Sequence, residues 1–537
     1  MDGAPLTPLA AYNGALYTMD EARPRAEALF AAGGRLVHVG TNEEVRALAA
    51  RWPACRALDL EGRCVLPGFT DSHIHFLNLG LALDRVDLSG VASLETVLER
   101  IGAAARGSEA RGGTAWVHGG GWDHSLWPGQ RFPDKTLLDR VARHAPVALR
   151  RKDGHMAWLN SAALAAASIR RDTPDPPGGR VGRDADGEPN GLLFEAAMAL
   201  VDRTIPEPGA AEAEGAIRRA MAHVHRLGVT GIHVPEGPLA FGAFQRLEAR
   251  GDLKLRVCMM LAHDQLDAAL ATGLRSRFGG DRLRVGPLKI FADGSLGSET
   301  AAMLEPFEGS STNRGILRLP EAELASAVER AARGGIGCAV HAIGDRANRI
   351  VLDAFQVTRA AWQPAGLRQR IEHVQVLHPD DLARLAGLGV IASMQPIHCT
   401  QDMDLVDRLW GARGRYAYAF RSLLAGGARL AFGSDAPVET PDPLAGLYAA
   451  VSRRRADGRP PGGWYPEERL SVTQAVHAYT LGAAYAAGAE AEGGSLTPGK
   501  HADLVVLSED IMAAPAAALL AARVTHTVVA GEVVYAA

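Results

Sequence analysis

Short apolar runs bounded by Gly, Pro and Asn recur along the whole chain, but they change character between its ends and its middle. Near the start, Gly14–Thr18, Ala28–Ala31 and Arg35–Gly40 read as strands, with Gly33-Gly34 as a hairpin turn, and Asn42–Arg51 reads as a helix. The far end returns to the same pattern in His501–Leu507 and Val524–Tyr535. In between, apolar strands alternate with amphipathic helical segments such as Glu321–Arg333, which follows Pro320 and stops at Gly334-Gly335, and Pro379–Leu388. Ser471–Gln474 reads as a capping box opening a late helix. Alternation of strand and helix predicts a parallel sheet.

Eight strands are expected: Val65–His75, Val147–Arg150, Thr230–Val234, Arg284–Phe291, Gly337–Ala342, Gln369–Val374, Val390–Met394 and Leu430–Gly433. The predicted class is therefore α/β, a (β/α)8 TIM-type barrel with a composite β-sandwich built from the N- and C-terminal segments. The expected boundaries are 1–64 and 486–537 for the sandwich and 65–485 for the barrel, with long insertions at 78–145 and 160–215. Thr173–Gly191 and Ala456–Glu467, rich in Pro and Gly, are expected to be loops.

Composition narrows the function by exclusion. Lys+Arg 57 against Asp+Glu 61 leaves a net charge of −4, so nothing favours nucleic acid or an anionic membrane. The five cysteines are scattered and odd in number, which is no disulfide framework and fits a reducing cytoplasm. Neither a signal peptide nor an apolar run of the roughly 20 residues needed to span a bilayer is visible. A cytoplasmic protein acting on a small molecule is expected, with room for a homodimer.

The chemistry collects where the strands are expected to end, which is where barrel enzymes carry their reactive groups. His73 and His75 lie two apart in Asp71-Ser72-His73-Ile74-His75, so an extended chain would turn both imidazoles the same way, a start for Zn²⁺, Mn²⁺ or Fe²⁺. Further polar residues follow at later strand ends: Asp153 and His155, His233 and Glu236, Lys289 and Asp293, His341, Glu372 and His373, Gln395 and His398, and Asp435. Lys289, inside an apolar strand, has two readings. Burial would favour its neutral amine, which CO₂ can convert to a metal-bridging carbamate; alternatively it is a plain buried lysine paired with Asp293. Asp153, His155 and His398 are candidates for the substrate pocket, and Glu195 for a lid. Trp122, His124 and Trp127 form either an apolar wall or core. His223 and His225, two apart on a helix, point different ways and read as surface.

These motifs, taken together, resemble the amidohydrolase superfamily and within it the YtcJ-like (amidohydrolase 3) family, which includes N-substituted formamide deformylases. The resemblance rests on Leu66–His75, Asp153–Ser161, Lys289–Ser295, His341–Asp345, Ile371–Gln375, Gly433–Val438 and Pro498–Leu504. It departs from the family at Glu299, where an arginine is expected. It implies a hydrolase of linear amide or formamide-type bonds with two divalent metals, zinc first. His73, His75 and Asp435 would hold one metal, and His341 and His373 the other, with a Lys289 carbamate bridging. Asp435 and His373 would be the catalytic residues, Asp435 moving a proton from the activated water to the leaving nitrogen, and Asp153, His155, Asp293 and His398 would contact substrate. A deaminase or cyclic-amide hydrolase of the same superfamily, or a non-catalytic binding barrel, are the alternatives.

Overall fold

The computed structural model describes residues 7–110, 116–151, 156–177, 179–297 and 299–537. The chain forms two compact units, Met1–Leu79 with Ala213–Ala537, and Gly80–Glu212.

In the first unit eight strands pair in parallel, in chain order: β1 (Phe69–Asp71), β2 (Val229–Val234), β3 (Arg256–Ala262), β4 (Leu283–Phe291), β5 (Cys338–Ala342), β6 (Arg370–His373), β7 (Ile391–Met394) and β8 (Arg429–Phe432). Strands such as β2, β6 and β7 are buried along their whole length, as a parallel sheet covered on both faces requires. Between β1 and β8 the Ser72 N–H donates to Phe432 O at 2.9 Å, so the sheet comes close to closing on itself as a TIM-type barrel. The helix Glu321–Arg333 and the capping box of Ser471 stand where the sequence places them.

Two expectations about the strands are corrected. Val147–Arg150 is not a barrel strand: Val147–Arg151 pairs with Val117–Trp122 and Met156–Leu159 in a separate sheet of the second unit. The barrel place belongs instead to β3, which pairs with β2 and β4. Nor is Val65–His75 one strand. Cys64–Pro67 pairs antiparallel with Leu504–Leu507, and after Gly68 the chain re-enters pairing as β1. Gly68 permits this break because a Cβ there would lie 2.2 Å from Thr230 Oγ1.

Both chain ends contribute sheets to the first unit. Leu9–Tyr12, Ala28–Ala32, Arg35–Gly40 and Arg56–Asp59 form a four-stranded sheet. A six-stranded sheet combines Ala15–Tyr17, Arg25–Ala26 and Cys64–Pro67 with Leu504–Leu507, Val524–Val529 and Glu532–Ala536. Leu29, Leu36 and Val39 from the first sheet share one apolar core with Val65, Leu504 and Val528 from the second.

The second unit carries its own core around Trp122, Trp127 and Trp158, so the two insertion tryptophans are core residues. Thr173–Gly191, expected as a loop, contains a hairpin of Gly179–Arg183 against Pro189–Glu195, and Glu195 ends it with φ 49°. Among the described residues no helix is long and apolar enough to cross a membrane.

Candidate metal centre

His73 and His75 lie just beyond β1, in the connection to the helix Phe76–Ala82. Backbone bonds to the segment after β8 hold this connection: Asp435 N–H donates to His73 O at 2.7 Å and His75 N–H to Ala436 O at 2.9 Å. Glu236, beyond β2, accepts from Leu77 N–H (2.7 Å) and Asn78 N–H (3.0 Å), satisfying the open start of the helix that follows His75. As a result His73 Nε2 and His75 Nε2 both approach Asp435 Oδ1, at 3.5 and 3.2 Å. The same carboxylate faces a second group through its other oxygen, His398 Nε2 standing 3.9 Å from Oδ2. One ligand atom from each of His73, His75 and Asp435 lies within 4.8 Å of the others, and the same holds for His373, His398 and Asp435.

His341 and His373 stand with ring centroids 4.6 Å apart, and His373 lies 5.1 Å from His73. His373 can reach the mouth immediately after Glu372 because its φ is 75°, which breaks the strand alternation; for a residue other than glycine that conformation costs about 1–3 kcal/mol. Asp435 is likewise at φ 60°. His341 Nε2 is 2.9 Å from Gly294 O. Lys289 Nζ is buried without a hydrogen-bond partner, so the pairing with Asp293 is not seen.

Electrostatics prepare these groups as ligands. Burial, with the Lys289 charge adding to it, lowers His73 to about 4 and His341 to about 3, and burial holds His373 well below the usual imidazole range. All three are therefore neutral at pH 7 with lone pairs free. Burial lowers Lys289 to about 8. For Asp435, burial pushes the other way, but His75, His73, His373 and His398 outweigh it and keep the carboxylate ionised.

The ligands rest on a buried polar layer. Glu372 Oε2 accepts from His73 Nδ1 at 2.6 Å, which turns Nε2 of that ring towards Asp435. Arg370 grips Glu372 through Nε (2.5 Å) and Nη2 (3.0 Å), and also donates to Ser72 O, Ser393 Oγ and His233 Nδ1. Gln395 Oε1 holds His373 Nδ1 at 2.8 Å. Asp71 accepts from His73 N–H, Ser434 N–H and Ser434 Oγ, tying β1 to β8.

Of the residues expected at the site, the structure brings His73, His75, His341, Lys289, His373, His398 and Asp435 to one end of the barrel. Asp293 is there too, but its carboxylate accepts from the backbone N–H groups of Ala302, Ile343 and Gly344, with burial raising it to about 7. Asp153 and His155 lie outside the described residues. The sequence marks Glu372 and Gln395 only as polar residues at strand ends, and gives Arg370 and Asp71 no role. Their signal is weak: Asp71, Arg370 and Glu372 stand two, three and one residues before a histidine in otherwise apolar surroundings, and Gln395 is an uncharged residue at a strand end. His225, expected on the surface, is buried, with Nε2 2.9 Å from Lys254 O.

A parallel eight-stranded barrel that collects neutral histidines around one ionised aspartate at the ends of its strands defines a metal-dependent hydrolase. The description of the Amidohydrolase family matches residues 56–535, and the chain belongs to that family, a metal-dependent hydrolase of carbon–nitrogen bonds other than peptide bonds. It is similar to the putative amidohydrolase YtcJ of Bacillus subtilis (strain 168), 32% identical over 98% of each chain. It is also similar to an N-substituted formamide deformylase of Arthrobacter pascens, 30% identical over 97% of each. A solved structure of an uncharacterized metal-dependent hydrolase from Pyrococcus furiosus superposes with a TM-score of 0.77 at 31% identity, covering 94% of this chain and 100% of that one.

Proposed function

We propose that this protein hydrolyses linear, exocyclic amide bonds of the formamide type in small molecules, using divalent cations, two Zn²⁺ by the resemblance. The observation that carries the reading is the convergence of three imidazoles on the two oxygens of Asp435. The donor set fits such cations: His73, His75 and Asp435 would hold one, and His341 and His373, with His398 beside them, a second. The orphaned Nζ of Lys289 and Nε2 of His398, both buried without a hydrogen-bond partner, fit the same use. Lys289 would serve as the carbamate formed from its neutral amine and CO₂ with loss of a proton. A cation bound there supplies Lewis acidity and lowers the pKa of water from 15.7 towards about 7.

The chain's own groups do the rest. Asp435, ionised at neutral pH, accepts a proton from the attacking water and returns it to the departing nitrogen, a role that contributes about 10²- to 10⁴-fold. Glu372 and Gln395 keep His73 and His373 in one ring orientation through the reaction. In the same reading the sheets from the two chain ends form a sandwich that braces β1. The formamide deformylase similarity supports the bond type. Metal analysis of protein purified without chelators, paired with hydrolysis of a panel of amides and formamides, tests the proposal. About two metals per chain and formamide cleavage that chelation abolishes are expected; full activity in metal-free protein refutes it.

A further inference from the structure

Phe291 closes β4 two residues after Lys289 and so leaves the strand on the same side. Its ring centroid is 5.2 Å from that of His341, and Lys289 Nζ lies 4.7 Å from it. Lys289 is 3% exposed, yet Phe291 is 38% exposed, an aromatic ring that is partly open to solvent beside buried polar groups. Arg318 Cζ stands 5.3 Å from the same ring. The backbone fixes it there: Arg318 N–H donates to Ala292 O at 2.8 Å, and Leu317 pairs with Asp293 in an isolated antiparallel bridge. Ile316 and Arg318 flank Leu317 and share the opposite face, Ile316 being 59% exposed. Among the described residues the Arg318 guanidinium has neither a carboxylate nor a hydrogen-bond acceptor, unlike Arg370 or Arg413.

We propose that Phe291 and Arg318 form the specificity subsite, and that the substrate is an amide whose nitrogen substituent is an aromatic or similarly flat apolar arm ending in a carboxylate. The inference rests on the amide-hydrolase reading for its reacting bond and on the Phe291–Arg318 pair for the rest. An aromatic arm packs against the exposed part of the Phe291 ring beside His341, and the planar guanidinium, already held against the ring, receives the carboxylate with two parallel N–H donors. No neighbouring acid has to be displaced first, so little is lost in exchanging partners.

The test compares N-benzylformamide with its 4-carboxy and 4-aminomethyl analogues, by kcat/KM and by direct calorimetric binding, in wild type, Arg318→Gln, Arg318→Glu, Arg318→Lys and Phe291→Leu. The expected wild-type preference for the carboxylated over the neutral analogue is about 10- to 100-fold, the range of a hydrogen-bonded charge pair. That ratio should collapse in R318Q, invert towards the aminomethyl analogue in R318E, and partly survive in R318K. F291L should raise KM for all three. A ratio unchanged in R318Q overturns the subsite even if formamides are cleaved well. If none is cleaved, but the carboxylated analogue binds more tightly to wild type than to R318Q, the subsite stands and the formamide reading falls. Absence of both cleavage and selective binding overturns the two together.

Discussion

Glu372→Gln is the substitution whose outcome the structure constrains most closely. The wild-type carboxylate is fully buried and receives three donors: Arg370 Nε at 2.5 Å, Arg370 Nη2 at 3.0 Å and His73 Nδ1 at 2.6 Å. Glutamine keeps the shape but offers one acceptor oxygen and two N–H donors. At least one N–H must then face another donor, and the Arg370 charge loses its counter-ion while staying fully buried. At an effective dielectric of about 20, opposite charges at 4 Å attract by about 4 kcal/mol, and breaking a buried pair costs about 3–5 kcal/mol. A loss of that size in urea unfolding of the metal-free protein is expected. Because His73 also loses the partner that aims its ring, metal affinity should fall about 10- to 100-fold in competition with a chelator. The two readouts separate the roles, since stability of the apoprotein reports on Arg370 and metal retention on His73. An E372Q protein within about 0.5 kcal/mol of wild type, holding its metal as tightly, would refute the reasoning.

Asp435→Asn should lower kcat by about 10²- to 10⁴-fold; a variant with undiminished turnover would remove Asp435 from proton transfer. Lys289→Ala should lose metal and recover part of its activity with a short-chain carboxylate, whereas full metal content without rescue would show that Lys289 carries no bridging carboxylate. His225, lowered by burial to about 4, gives an acid-lability prediction away from the site. Because the unfolded chain takes up this proton near pH 6.5 and the folded chain only near 4, acidification between those values favours unfolding by up to about 3 kcal/mol. The drop in unfolding free energy across that window should be smaller by this amount in His225→Gln, and an identical slope would contradict it. Gly433→Ala would place a methyl 2.5 Å from His73 N and 2.7 Å from Asp71 Oδ1, and should cost about 1–3 kcal/mol together with metal retention, read by thermal unfolding and metal analysis.

What the sequence made legible follows from which signals are local. The apolar runs and their flanking glycines predicted seven of the barrel strands, the helix Glu321–Arg333 and the cap at Ser471. The histidines and Asp435 could be singled out because imidazoles at strand ends are chemically conspicuous. Sheet membership was not legible, because it depends on partners far along the chain. Val147–Arg151 opens on the apolar run Val147-Ala148-Leu149 and leads into Asp153 and His155, so it reads as a barrel strand, whereas β3, Arg256–Ala262, is as apolar and is followed directly by His263 and Asp264, yet is absent from the expected strands. The layer beneath the ligands was hidden for the same reason. Arg370 is unremarkable as a letter and Glu372 reads only as one more polar strand-end residue; both acquire their part only when β6 packs beside the loop after β1. His225 was misplaced because helical periodicity shows that two residues diverge without showing which of them the rest of the fold will cover.

Gly68 separates two allegiances within a few residues of chain, since Cys64–Pro67 is bonded to Leu504–Leu507 and β1 to β2. During synthesis the first of these strands emerges more than four hundred residues before its partner. At about 5–20 residues per second it waits on the order of a minute with an apolar edge uncovered. The histidine pair that follows is tethered to that waiting strand, so the centre reaches its final geometry only after Leu504–Leu507 has left the ribosome.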